Sequence, residues 1–214
     1  MICVSLTDYN FDQLLQILPH EQIAEIRLDR LNLNLAQIQE LFQSHARLIA
    51  TCRPGNLSDT KRVILLQHAI KAGAAYIDIE YDAHQTFRQK LLRLAHQQGC
   101  QIIISYHNYE FTPSLLELRR ILTECENLQP HLIKIVTYCH NRTDGKRLLQ
   151  LYQYTNKVLI AFGMGQAGRF TRLECLKYGA PFIYAAYDQA HLTAPGQYTK
   201  SELQQIIQNG RQHG

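Results

Sequence analysis

Short apolar segments alternate with helix-length amphipathic segments along this chain of 214 residues. The apolar segments predict strands at residues 2–6, 24–29, 47–53, 76–81, 102–107, 131–138, 157–162 and 182–187. The amphipathic segments predict helices near residues 11–18, 35–44, 60–72, 84–98, 113–126, 143–154, 170–178 and 200–209. Strict alternation is typical of parallel strands joined by helices, and eight such units predict a closed (β/α)8 barrel.

A doubly wound open sheet is the alternative to the barrel. It is disfavoured because no Gly-x-Gly-x-x-Gly motif follows the first predicted strand. The chain is 46% hydrophobic and has no linker rich in Pro, Gly or Ser, so we expect a single domain over residues 1–214 with one sizeable core.

Charge and cysteine content narrow the class of protein. The net charge of +4 comes from scattered basic residues, which disfavours a nucleic-acid binder and suits an anionic small molecule. No leader segment and no uncharged run long enough to span a bilayer is evident, so we expect a soluble cytoplasmic protein without a membrane partner. The six cysteines form no Cys-x-x-Cys pair, which favours reduced thiols over a disulfide framework or a zinc site.

Several predicted strands carry polar residues on one face near their carboxyl ends. Alternate residues of a strand share a face, so Glu25, Arg27 and Asp29 point to one side of the second strand. Helices cover the apolar side, so these charges face the mouth of the barrel, where active sites of such barrels lie. The same alternation directs further polar side chains inward, namely Thr51, Arg53, Asp78, Glu80, Ser105 and His107.

Lys134 is the most informative inward residue because it interrupts the β-branched apolar run of residues 131–137. Burying an ammonium group is costly, so such a lysine tends to lose its proton, and a neutral amine can attack a ketone to form a Schiff base. A lysine there can equally extend to solvent or pair with a buried carboxylate. The polar residues of the neighbouring strands favour the chemical role, although barrel interiors also hold structural ion pairs.

Two helix boundaries are indicated by residue type. Thr112 followed by Pro113 predicts an N-cap and a first-turn proline for the fifth helix. Gly99 predicts the end of the fourth helix.

The ordered polar motifs resemble those of the type I 3-dehydroquinate dehydratases, Schiff-base enzymes of the shikimate pathway. The similarity extends from about residue 24 to residue 199. It is carried by the segments Glu25-Ile26-Arg27-Leu28-Asp29, Thr51-Cys52-Arg53, Ser105-Tyr106-His107-Asn108-Tyr109, Ile133-Lys134-Ile135, Met164-Gly165, Thr171-Arg172 and Ala194-Pro195-Gly196-Gln197.

The resemblance implies dehydration of 3-dehydroquinate to 3-dehydroshikimate without a metal or organic cofactor. It implies that Lys134 forms an imine with the ring ketone and that His107 moves protons, since an iminium acidifies the adjacent carbon and histidine titrates near neutral pH. Arg172 would bind the carboxylate, and arginines near the lysine would favour its neutral form. The residues implied to hold hydroxyl groups or one another are Glu25, Arg27, Arg53 and Gln197.

The chain departs from the family pattern at two positions. Thr193 stands where the family usually has a serine, which keeps a hydroxyl in the motif. Leu57 stands where the family tends to carry a glutamate that partners the catalytic histidine, so we expect Glu80 to be the acidic partner of His107. Because the first predicted strand begins at residue 2, we also expect a short barrel that lacks the N-terminal hairpin of many relatives.

Two other functions stay open on the sequence. A class I aldolase-like enzyme would share the lysine, but aldolases of phosphorylated sugars need a glycine-rich phosphate cradle, whereas this chain offers Arg172 and residues 193–197. A non-catalytic relative that binds a ligand or a partner protein has Leu57 in its favour. We further expect residues 190–199 to form a mobile lid. The oligomeric state is left open, with a homodimer as the assembly to test.

Overall fold

The computed structural model describes residues 1–211 as alternating strands and helices. The strands are β1 (Ile2–Leu6), β2 (Ala24–Arg27), β3 (Leu48–Thr51), β4 (Tyr76–Glu80), β5 (Gln101–Asn108), β6 (Leu132–Tyr138), β7 (Leu159–Met164) and β8 (Ile183–Ala186). The helices are α1 (Phe11–Ile17), α2 (Leu35–Ser44), α3 (Asp59–Lys71), α4 (Gln85–Gln98), α5 (Leu115–Asn127), α6 (Arg142–Gln150), α7 (Thr171–Lys177) and α8 (Lys200–Arg211). None of the described helices is both long and apolar enough to cross a membrane.

All eight strands belong to one parallel sheet in the order β7-β6-β5-β4-β3-β2-β1-β8. β1 pairs with β2 on one side and with β8 on the other, so the first and last strands are neighbours. Within the described residues β7 and β8 form the two ends of the sheet and share no ladder. The result is a nearly closed barrel, which confirms the predicted (β/α)8 fold.

Polar caps fix where several helices begin. The side chains of Asn10, Asn34 and Asn141 each accept a hydrogen bond from the backbone N–H group of the third helical residue. The side chain of that third residue in turn accepts one from the backbone N–H group of the cap. Such reciprocal caps satisfy backbone N–H groups that the helix leaves without partners. They therefore set the first residues of α1, α2 and α6.

Both faces of the sheet are buried, and each face contributes to its own apolar cluster. Outward residues such as Val4 and Ile26 pack beneath the helices. Inward residues such as Cys3, Ile49 and Ile160 fill the barrel axis. Apolar side chains therefore close the bottom of the barrel and leave the inward polar residues above them. All six cysteines are buried free thiols.

Some predicted boundaries were wrong. β2 and β3 end at Arg27 and Thr51, before the predicted ends at residues 29 and 53, because the chain turns at the barrel rim. β7 runs from residue 159 to 164, since its last residues pair with β6. Gly99 does end α4, with a left-handed φ of 67°.

The predicted cap of α5 was also wrong. Ser114 caps this helix by accepting from the Glu117 N–H group. The hydroxyl of Thr112 instead lies 2.7 Å from the hydroxyl of Thr137 and donates to the carbonyl of Tyr138. These contacts hold the loop before α5 against β6.

Candidate active site

A cavity opens at the carboxyl ends of the strands. It brings together every residue predicted to be catalytic or substrate-binding, while Glu80 is outside the lining. Those lining residues are Glu25, Arg27, Arg53, His107, Lys134, Arg172, Thr193 and Gln197.

Lys134 projects from β6 into the barrel and is only 5% exposed. Its Nζ atom lies 3.2 Å from Oδ2 of Asp78 and 3.5 Å from Oε1 of Glu25. Both ion-pair partners of Lys134 are carboxylates, and the arginines expected nearby are not its direct partners. Arg53 binds the same Oδ2 atom of Asp78 that pairs with Lys134.

Asp78 on β4 is the buried centre of this polar group. It accepts hydrogen bonds from Arg53 Nη2 at 2.6 Å and from the hydroxyl of Ser105 at 2.5 Å. Burial alone would raise its pKa, but Arg53 and Lys134 hold the pKa of Asp78 well below the ordinary value. Asp78 therefore stays ionised and fixes Arg53 and Lys134 relative to each other. The sequence indicated its inward direction but not this role.

Glu25 on β2 lines the opposite side of Lys134. Its carboxylate accepts from the hydroxyls of Ser5 at 2.7 Å and Thr51 at 2.9 Å. Burial opposes ionisation, yet Lys134 and the nearby arginines leave the pKa of Glu25 below its ordinary value. Glu25 is thus a fixed anion that can accept a further donor from a ligand.

Arg27 is held by the turn that follows β2. Its Nε and Nη2 atoms donate to Asp29 at 3.0 and 2.7 Å. Asp29 also accepts from the backbone N–H group of Arg53, which links the ends of β2 and β3.

His107 near the end of β5 has Glu80 as its acidic neighbour. The Nδ1 atom is 3.6 Å from Oε1 of Glu80, which is also 3.5 Å from Nη1 of Arg53. Burial, Arg53 and Lys134 together lower the pKa of His107 well below its ordinary value. Burial raises the pKa of Glu80, while Arg53 opposes that shift. A neutral imidazole in this position can accept a proton across the neutral pH range.

Arg172 in α7 presents a buried guanidinium to the cavity. It is 2% exposed, and its guanidinium carbon lies 4.3 Å from the ring centroid of Phe162. It forms no ion pair with the residues that the structure describes, and its Nε atom has no hydrogen-bond partner among them. Burial lowers the pKa of Arg172 to about 10, so it is still charged at neutral pH. Such an unpaired buried cation is suited to a ligand carboxylate.

The loop after β8 closes one side of the cavity. Oε1 of Gln197 accepts from both the backbone N–H group and the hydroxyl of Thr193, at 2.7 and 2.8 Å. Gly165 at the end of β7 donates to the carbonyl of Pro195 at 2.9 Å. Gly196 has a φ of 74°, and a Cβ atom there would lie 2.5 Å from the carbonyl oxygen of Gly165. The loop can seat this closely only because residue 196 has no side chain.

A family model described as type I 3-dehydroquinase matches residues 2–212 of this chain. The chain belongs to the type I 3-dehydroquinase family. A 3-dehydroquinate dehydratase of Desulfotalea psychrophila is 33% identical over 219 residues, which cover 96% of each chain. One of Methanococcus maripaludis strain C7 is 32% identical and covers 97% of this chain and 98% of the relative. The crystal structure of the Aquifex aeolicus 3-dehydroquinate dehydratase matches with a TM-score of 0.83, 27% identity and 98% coverage of both chains. The prediction of a shikimate-pathway lyase of this family is thereby confirmed.

Leu57, the departure from the family pattern, does not face the cavity. Its side chain is half-buried and packs against the apolar cluster beneath the helices. Among the described residues that line the cavity, none comes from the segment between Arg53 and α3. Among the described residues, Glu80 is the carboxylate that pairs with His107, at 3.6 Å.

Further lining residues were not identified from the sequence of this dehydroquinase. They are Ser5, Tyr109, Val136, Phe162, Met164, Tyr184 and Ala194. Strand alternation could have found some of them, since Phe162 shares a face with Ile160, and Tyr184 shares one with Phe182. The apolar and aromatic residues on strands were missed because their types do not differ from those of core residues.

Proposed function

We propose that this dehydroquinase converts 3-dehydroquinate to 3-dehydroshikimate through an imine on Lys134, with His107 as the group that moves protons. One observation carries the proposal: a buried lysine amine and a buried guanidinium without an acidic partner line the same cavity. A substrate with a ketone and a carboxylate matches that pair of groups.

The chemistry balances with the residues present. Nζ of Lys134 attacks the ketone carbon, and the ketone oxygen leaves as water, which forms a C=N bond. The iminium withdraws electrons, so His107 can take a proton from the adjacent carbon. The protonated imidazole then gives that proton to the hydroxyl group that leaves as a second water molecule. Hydrolysis of the imine consumes one water molecule and restores the lysine amine.

The surrounding groups have supporting roles in this scheme. Arg172 binds the carboxylate, and the residues proposed to hold ring hydroxyls are Glu25, Arg27, Arg53, Thr193 and Gln197. Glu80 orients His107 in place of the family glutamate. We further propose that residues 1–214 act as one cytoplasmic catalytic domain, consistent with six buried thiols.

Borohydride reduction in the presence of 3-dehydroquinate tests the proposal, because a C=N bond is reducible to a stable amine. We expect the covalent mass of the reduced substrate adduct on the peptide containing Lys134. Lys134→Ala should abolish both the adduct and the rise in ultraviolet absorbance from the conjugated product. The exposed Lys61→Ala variant is the control and should retain both.

His107→Ala separates imine formation from proton transfer. It should still form the adduct, while turnover falls by roughly a hundred- to ten-thousand-fold. Full activity in Lys134→Ala would refute the imine mechanism. An adduct without a conjugated product, but with carbon–carbon cleavage, would favour the aldolase alternative, and binding without turnover in the wild type would favour the non-catalytic one.

A further inference from the structure

Tyr184 on β8 places the face of its ring against the reactive nitrogen of Lys134. The ring is 3% exposed and lines the cavity. Nζ of Lys134 lies 4.0 Å from the ring centroid, within the range of a cation–π contact. The sequence assigned Tyr184 no role.

The ring completes a charge environment around that nitrogen. Asp78 and Glu25 approach Nζ as carboxylates at 3.2 and 3.5 Å. The face of the aromatic ring carries partial negative charge, so it attracts the cationic nitrogen without a net charge or a hydrogen bond. Because the site is buried, such an attraction is stronger than at a solvated surface.

The contact concerns the reaction because the positive charge stays on the same nitrogen after the imine forms. An ammonium on Lys134 and the protonated imine that replaces it are both cations attached to the same side chain. A ring that holds this cation favours the iminium over its neutral imine, and the iminium is the form that withdraws electrons from the substrate.

We propose that Tyr184 is a positioning residue whose ring face holds and stabilises the cationic nitrogen of Lys134 in the iminium intermediate. The proposal rests on the imine mechanism proposed above. It assigns the effect to the π face of the ring, so a phenylalanine is expected to replace the tyrosine.

The hydroxyl of Tyr184 is separate from this role. It is buried, and it forms no hydrogen bond with the residues that the structure describes. Burial and the nearby Glu25 raise the pKa of Tyr184 well above its ordinary value, so the ring carries no phenolate charge at neutral pH.

A series of fluorinated phenylalanines at position 184 tests the proposal. Tyr184→Phe is the parent, and one, two and three ring fluorines then weaken the negative potential of the face with little change in shape. The readouts are the adduct trapped by limiting borohydride with 3-dehydroquinate, kcat and the urea unfolding midpoint. The trifluorinated residue at Phe42, a buried ring outside the cavity lining, controls for fluorination of the core.

We expect Tyr184→Phe to keep the trapped adduct, because it keeps the π face, and its adduct and kcat are the reference for the series. The trapped adduct and kcat should then fall stepwise with each fluorine, by roughly 2- to 30-fold over the series, the range that cation–π contacts span. The unfolding midpoint should fall only by the weakened contact with the ammonium of Lys134, since shape and burial are kept.

Contrary results are distinguishable. A flat series with normal trapping in the wild type overturns the role of the ring face and leaves the imine mechanism standing. A loss in Tyr184→Phe as large as that at three fluorines assigns the effect to the hydroxyl, which also overturns the proposal. No adduct in the wild type itself removes the imine mechanism and this inference together.

Discussion

Nδ1 of His107 lies 3.6 Å from Oε1 of Glu80, and the same oxygen lies 3.5 Å from an Arg53 nitrogen. One carboxylate therefore faces both the imidazole and a guanidinium. Burial, Arg53 and Lys134 lower the pKa of His107, and the negative charge of Asp78 opposes them.

Glu80→Gln should lower the pKa of His107 further, because it removes a carboxylate 3.6 Å from Nδ1 whose negative charge favours the imidazolium form. The acidic limb of the rate profile should shift to lower pH together with that pKa. Leu57→Glu should change neither, since Leu57 packs against the apolar cluster rather than facing the cavity. An NMR titration of His107 in both variants measures this, and an effect in Leu57→Glu alone would reverse the assignment.

Arg172→Ala should raise KM roughly 10- to 150-fold, because a charge-assisted hydrogen bond to a carboxylate contributes about 1.5–3 kcal/mol. Arg172→Lys should restore only part of the affinity, since the fork geometry is lost. Steady-state kinetics with 3-dehydroquinate measures both. The exposed Arg93→Ala variant should leave KM unchanged, and an unchanged KM in Arg172→Ala would place the carboxylate elsewhere.

Asp78→Asn should lower the free energy of unfolding by roughly 3–5 kcal/mol, because it leaves Arg53 and Lys134 buried without their shared counter-ion. The folded-state pKa of Asp78 is depressed, so this contribution is present at neutral pH and is lost as pH falls below the unfolded value of about 3.9. Urea unfolding at pH 7 and pH 3 measures both effects. Glu117→Gln, which breaks a surface pair with Arg120, is the control and should leave stability unchanged. Equal stability of Asp78→Asn and wild type at pH 7 would contradict the role of this buried anion.

Gly196→Ala should displace the loop after β8, because its Cβ atom would lie 2.5 Å from the carbonyl oxygen of Gly165. We expect a higher KM and faster amide exchange over residues 190–199. Gly179→Ala is a matched control, since it also has a positive φ, of 99°, but opens on free space. Equal effects in the two variants would trace the loss to backbone conformation rather than to seating of the loop.

If bound substrate left exchange over residues 190–199 unchanged, the loop would not act as a mobile lid.

The sequence predicted the barrel because strand and helix periodicities differ and alternate without interruption. It also predicted several of the polar residues that line the cavity, since alternation in a strand fixes the face of Glu25, Arg53 and His107 once the apolar face is known. Strand ends were less predictable: Arg53 keeps its inward direction although β3 ends at Thr51. The end of a strand depends on pairing with its neighbour, which the sequence of one strand does not contain.

Roles that depend on distances between strands could not be predicted in the same way. Asp78 and Tyr184 act on Lys134 from β4 and β8, across the barrel axis. Thr112 looked like a helix cap because its local sequence fits one, but a contact with β6 determines its position. In each case a tertiary contact outweighs the local pattern.

No ladder joins β7 and β8 in the described sheet, so a ligand bound to residues on both sides would link these two strands. Arg172 follows β7, whereas Thr193 and Gln197 follow β8, so these groups flank the seam from opposite sides. A ligand that contacts residues on both sides would connect β7 and β8, the only neighbouring strands of the described sheet that are not paired. A ligand that binds only the folded state stabilises that state. We expect the stabilisation to be largest where the ligand connects β7 and β8.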